Sequence, residues 1–339
     1  MYQKNIVTLL FLCIINSVFS QKTAGDYLNS GIEKGEKNNY HAAISDFTKA
    51  HELDPTNPIY LINKSKAYNA LQNYDSATIV LNQAAKLFPD NKDVKISKGW
   101  VFIYTNEFDL AINLVNELKK AGHTNSEVSI LSGLAHQLKG DFNQAIVDFS
   151  VLLDENKNDE SILMSRAESY MSLQQYSKAL SDYNTLVALQ PKNSYYLIGR
   201  GSCKKFNNQL NEAMIDFNKA LLLEPKNSDA LTERGRLKYT LGDQHGAIED
   251  YNKSIFLNSV NPMAYSCRAI SKAELSDTQG SLSDFNKAIL LEKDKPENYY
   301  FRGLLYINLK NKKLACADFS KAGELGFMKA YEEIKKHCN

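Results

Sequence analysis

Residues 194–227 read SYYLIGRGSCKKFNNQLNEAMIDFNKALLLEPKN, and residues 228–261 read SDALTERGRLKYTLGDQHGAIEDYNKSIFLNSVN. Laid over each other without a gap, both stretches carry glycine at place 8, alanine at place 20 and a large ring at place 24. The register extends back to Ala24 and forward to Lys329, giving nine units of 34 residues with no insertion or deletion. Place 8 is glycine, alanine or serine in every unit, place 20 is alanine except for Ser281, and place 24 is always Phe, Tyr, Leu or Val. Within each unit the apolar residues recur at spacings of three and four, which predicts amphipathic helices. Small residues at places 8 and 20 let two helix backbones approach closely, and the bulky residue at place 24 fills the space beside them. Each unit is therefore expected to be a helical hairpin. All seven prolines, Pro55, Pro58, Pro89, Pro191, Pro225, Pro262 and Pro296, fall at the joints between units, where they do not cost the ~3 kcal/mol of a proline in a helix interior.

Composition sets outer limits. The chain has 339 residues, 43% of them apolar and 23% charged, which excludes disorder and leaves material for a large core. Lys and Arg number 40 against 39 Asp and Glu, so there is no basic excess to hold nucleic acid or an anionic membrane surface, a local patch apart.

The ninefold pattern resembles the tetratricopeptide repeat family; the opening unit, with YLNSGIEKGEKNNYHAAISDFTKAHELDPTN, shows it as clearly as the sixth. The resemblance implies an all-α, right-handed superhelical solenoid of nine helix-turn-helix repeats: 24–57, 58–91, 92–125, 126–159, 160–193, 194–227, 228–261, 262–295 and 296–329. Residues 330–339 are expected to form a capping helix that solvates the last repeat. The resemblance also implies that places 2, 5, 6, 9, 12 and 13 of the first helices line a concave groove. In repeats three and four those places supply Ile96, Trp100, Ile103, Tyr104, Ile130, Leu131, Leu134 and Leu138, and repeat nine adds Tyr300, Phe301 and Leu304. The alternative for each is a place in the core between helices. The five-residue carboxylate clamp known from such grooves is matched at Asn63 alone, so an apolar peptide segment is the expected occupant.

Residues 1–20 have the features of a secretory signal: Lys4, an apolar run from Ile6 to Ile15, and the small residue Ser20. Cleavage there would leave the short segment 21–23 before the first repeat and send the protein to the periplasm or the exterior; a retained anchor is the other reading. An oxidising compartment permits disulfides. Cys203 and Cys267 are separated by a whole hairpin, too far for a bond whose Cα atoms lie within about 7 Å. Cys316 and Cys338, in the last repeat and its cap, are the expected pair, the alternative being two free thiols.

Nothing in the sequence gathers catalytic groups. The six histidines never fall three or four apart, and there is no Cys-x-x-Cys, nucleophile elbow or phosphate loop, so no metal and no cofactor is expected. Arginine recurs at place 7 in Arg166, Arg200, Arg234, Arg268 and Arg302, each eighteen residues after Asp148, Asp182, Asp216, Asp250 or Asp284. That spacing suggests a ladder of ion pairs joining each Asp to the Arg of the following repeat, with an anionic-ligand site as the other reading. The expectation is a non-catalytic scaffold or adaptor that binds a protein or peptide. Glycan or small-ligand binding, or service as an accessory subunit of an envelope enzyme complex, is the alternative.

Overall fold

The computed structural model describes residues 22–338; the expected signal segment lies outside them. Their regular structure consists of nineteen helices. The chain divides into two compact units at Lys157/Asn158. In the first, four helical hairpins follow one another: α1 (Ala24–Glu36) with α2 (Tyr40–Leu53), α3 (Ile59–Ala70) with α4 (Tyr74–Leu87), α5 (Lys92–Tyr104) with α6 (Phe108–Lys120), and α7 (Ser126–Lys139) with α8 (Phe142–Glu155). The second holds five: α9 (Glu160–Ser172) with α10 (Tyr176–Leu189), α11 (Ser194–Phe206) with α12 (Leu210–Leu223), α13 (Ser228–Thr240) with α14 (Gln244–Leu257), α15 (Pro262–Glu274) with α16 (Thr278–Leu291), and α17 (Pro296–Asn308) with α18 (Lys312–Glu324). A closing helix, α19 (Lys329–His337), packs on α18.

Helix ends are written into the repeat. Side-chain oxygens of Asn39, Asn73, Asp141, Asp243, Asp277 and Asn311 accept from backbone N–H groups at the starts of second helices, satisfying donors that the helix itself leaves unpaired. The turn inside every hairpin places one residue in left-handed conformation: Asn38, Gln72, Asn106, Gly140, Gln174, Asn208, Gly242, Ser276 and Lys310, always place 15. Five of these are Asn or Gly, the residues that adopt it at least cost. Repeats three and nine lack the joint proline, having His123 and Phe327 there, and instead close their second helix on the left-handed glycines Gly122 and Gly326.

The close approach of the two helices is visible at place 8. A Cβ on Gly31, Gly133, Gly201, Gly235 or Gly303 would stand 2.5–2.8 Å from a ring carbon of Phe47, Phe149, Phe217, Tyr251 or Phe319. The residues at place 20, eight alanines and Ser281, are fully buried.

The ion pairs correct the sequence-based register. Arg166, Arg200, Arg234, Arg268 and Arg302 bind Asp182, Asp216, Asp250, Asp284 and Asp318, each in its own repeat, with Nη2–Oδ1 distances of 2.6–2.7 Å. The partner is thus the Asp sixteen residues later, because helix packing inside a hairpin brings places 7 and 23 face to face. Lys204, Lys238 and Lys272, one turn along the first helix, bind the same carboxylates. The link between repeats is neutral on one side: Arg234, Arg268 and Arg302 also donate Nη1 to Asn218, Asn252 and Asn286 of the preceding repeat at 2.6–2.9 Å. Asp148 instead meets Ser132, His136 and Lys119, the last from the preceding repeat. Burial alone would raise the carboxyl groups of Asp250 and Asp148, but these hydrogen bonds hold both below the usual range.

Cys316 and Cys338 form a disulfide between α18 and the end of α19, with Cα atoms 5.6 Å apart.

Candidate functional site

The first helices of the first unit, with the start of α4, open a cleft of about 610 Å³, lined by Ser65, Lys66, Asn69, Ser97, Trp100, Tyr104, Tyr74 and Glu127. Three rings form its apolar wall. Tyr74 and Tyr104 stack with centroids 5.6 Å apart, and Trp100 continues the row 6.5 Å from Tyr104. Trp100 is half-buried and Tyr104 is 46% exposed, so both present ring surface to whatever enters. Polar groups ring this wall, among them Asn69, whose Oδ1 has no hydrogen-bond partner among the described residues.

Three residues expected in the groove are elsewhere. Ile96, Ile103 and Leu131 belong to the core, packed with Val115, Leu118 and Val128. The cause lies in repeat three, which carries Val115 at place 24 instead of a ring. The space above Gly99 is filled from the next repeat by Leu131, whose Cγ would lie 3.4 Å from an added Cβ, and the isoleucines turn inward around it. Ile130 and Leu134 are half-buried and Leu138 is exposed, but none of the three lines the cleft.

The cluster expected in repeat nine is also covered. Tyr300 and Leu304 pack, together with Phe327, Ile334 and Cys338, on the buried cluster of Ala315, Phe319, Ala322 and Ala330, the last of these from α19, and the Tyr300 and Phe327 rings lie 4.9 Å apart. Phe301 stacks on Phe285 in the neighbouring core. The closing helix therefore occupies the face that a ligand would need: Tyr300 and Leu304 are corrected from groove to cap contact, and Phe301 from groove to core.

The second unit has its own cleft, about 440 Å³, lined by Lys205, Phe206, Arg236, Tyr239, Cys267 and Ile270. Beneath it Glu233 accepts from Lys205 Nζ at 2.6 Å and from Arg236 Nη1 at 2.5 Å. Burial favours the neutral carboxyl, yet the two cations hold Glu233 below its ordinary range, while burial lowers Lys205 and raises the Cys267 thiol. Sequence reasoning missed the contribution of Lys205. The signal existed, because Lys205, Glu233 and Arg236 occupy places 12, 6 and 9, which face the same side as Trp100 does in repeat three.

Among the described residues there is no group of three His, Cys, Asp or Glu that could hold a metal, and no helix long and apolar enough to cross a membrane.

Comparison with known proteins agrees with this geometry. Profiles of the tetratricopeptide repeat match residues 36–95 and, separately, residues 160–193, 194–227 and 296–325. No curated protein sequence matches the chain. Among solved structures, the fold resembles a chain of the APC/C hetero-tetramer Cut9–Hcn1 with a TM-score of 0.60 and 14% identity. The match covers 88% of this chain and 59% of that one, so the chain spans little over half the length of that relative. A tetratricopeptide repeat protein from Parabacteroides merdae superposes with a TM-score of 0.56 and 22% identity over 83% of this chain and 99% of its own. The strict period, the hairpin architecture, the profile matches and these two structures converge: the chain belongs to the tetratricopeptide repeat family.

Proposed function

We propose that the protein is an exported, non-catalytic adaptor whose first unit binds an extended or helical peptide segment of a partner protein in the Trp100 cleft. Folds of this family serve as protein-interaction scaffolds. The observation that carries the finer reading is the aromatic row Tyr74–Tyr104–Trp100 facing an open cleft with polar groups at its rim. Aromatic anchors in partly desolvated pockets dominate the energy of protein interfaces. Export is supported by the character of residues 1–20 and is in keeping with the Cys316–Cys338 bridge.

A displayed random-peptide library panned against the protein tests the cleft. Enriched peptides should carry an apolar or aromatic anchor and lose about thirtyfold or more in affinity on Trp100→Ala, the loss typical of a central hot spot. Peptides that bind the variant equally well would reject the site. Mass measurement of the protein recovered from its own cells tests export, the expected chain beginning at Gln21.

A further inference from the structure

On the outer side of the second unit, helices α12, α14 and α16 repeat one pattern. Place 29 is Leu222, Phe256 and Leu290, which are 81%, 88% and 66% exposed. Place 26, one turn earlier on the same helix face, is Lys219, Lys253 and Lys287. None of these lysines has an ion-pair partner among the described residues. On the same face, place 22 holds Ile215, which is 64% exposed, Glu249 and Ser283, and place 25 holds the exposed Asn218, Asn252 and Asn286.

The apolar row is confined to three consecutive repeats, whereas lysine at place 26 also occurs as Lys49 and Lys321. Elsewhere place 29 is charged or small, as in Glu52, Lys86, Lys120, Asp154, Ala188 and Glu324. Solvent-facing leucine and phenylalanine at three successive equivalent positions are not needed by the core, which these side chains do not reach. Exposed apolar groups concentrated in this way mark an interaction surface.

We infer that this face docks peripherally on an anionic lipid surface, with the Leu222–Phe256–Leu290 row entering the boundary between headgroups and acyl chains and the lysine row meeting the lipid phosphates. Two features favour lipid over a protein partner. These side chains stand out from the helices and line neither cleft described above, and a bilayer interface accepts a protruding apolar row without a shaped counterpart. The lysines beside it outnumber the single acid Glu249, so a face with local positive charge lies within a chain whose charges balance overall.

Vesicle flotation with the chain from Gln21 onward, which contains every helix described, tests the inference. Vesicles of phosphatidylcholine with about 30 mol% phosphatidylglycerol should carry at least about tenfold more protein than pure phosphatidylcholine. The triple variant Leu222→Ser, Phe256→Ser, Leu290→Ser should lose about tenfold in bound fraction, and Lys219→Glu, Lys253→Glu, Lys287→Glu should fall to the neutral-vesicle level. These positions are largely solvent-facing, so circular dichroism should be unchanged; Trp100→Ala should bind vesicles as the parent does. Absence of flotation with anionic vesicles, or flotation undiminished in either triple variant, overturns the inference. Self-association abolished by the serine variant, without vesicle binding, would assign the row to a second copy of the chain and overturn it equally.

Discussion

Two registers of ion pairing differ in one measurable coupling energy. Asp250 is 1% exposed and accepts from Arg234 Nε at 2.8 Å, Arg234 Nη2 at 2.7 Å and Lys238 Nζ at 2.9 Å. Removing a partner from a buried charge pair costs about 3–5 kcal/mol. The Arg234 and Lys238 side chains keep 20% and 22% of their surface in water, so water recovers part of the loss and Asp250→Ala should cost about 3 kcal/mol, the low end of that range. In a double-mutant cycle, Asp250→Ala with Arg234→Ala should show a coupling of about 2 kcal/mol, whereas Asp250→Ala with Arg268→Ala should be additive within about 0.5 kcal/mol. Hydrogen exchange of the backbone amides in 244–257 is the suitable readout, because a repeat array need not unfold in one step and the only tryptophan lies in the other unit. A larger coupling to Arg268 than to Arg234 would refute the pairing within repeats.

Acid should act through the same carboxylates. Asp148 and Asp250 are held below their unfolded values, so each contributes stability that is present above about pH 4 and lost as pH falls through the folded pKa; the Asp250→Ala protein should show a shallower acid limb in stability against pH. Thiol titration of the denatured chain from Gln21 should count two reactive groups, Cys203 and Cys267, rising to four after reduction. Reduction should lower the opening free energy of α19 by roughly 3 kcal/mol, the loop-closure value for a bridge spanning 22 residues; unchanged exchange in that helix would argue against a structural role for the bridge. Gly133→Val places a branched side chain where even a Cβ lies 2.5 Å from the fully buried Phe149 ring. It should destabilise repeat four by about 1–3 kcal/mol in urea titration; a neutral result would mean that the two helices are not in close contact there.

The hairpin repeat was legible because side-chain size recurs in strict register, and size alone decides how near two helices can lie. The pairing partner was not. At a period of 34, an arginine at place 7 has one aspartate eighteen residues before it and another sixteen after it, so counting cannot choose between Asp216 and Asp250 for Arg234. Packing chooses, and it delegates the contact with the previous repeat to Asn218. The cleft was half legible. Trp100 and Tyr104 occupy the expected places, but the fate of Ile96, Ile103 and Leu131 depended on how much space Val115 leaves, a property of two repeats together. At the far end, the footprint of α19 on Tyr300 and Leu304 could not be read from the period, because α19 lies outside it.

The two-handed arginine makes the array extensible. Each of Arg234, Arg268 and Arg302 grips an aspartate ahead and an asparagine behind, and those partners are identical from one copy to the next. Excising residues 228–261 would offer Arg268 the amide of Asn218 in place of Asn252, the same chemical group from the same place in the unit. Gene duplication or loss of a whole period among these repeats thus preserves the arginine grip at the new seam, while contacts particular to one junction, such as Lys205 with Glu233, are lost with the repeat that supplies them.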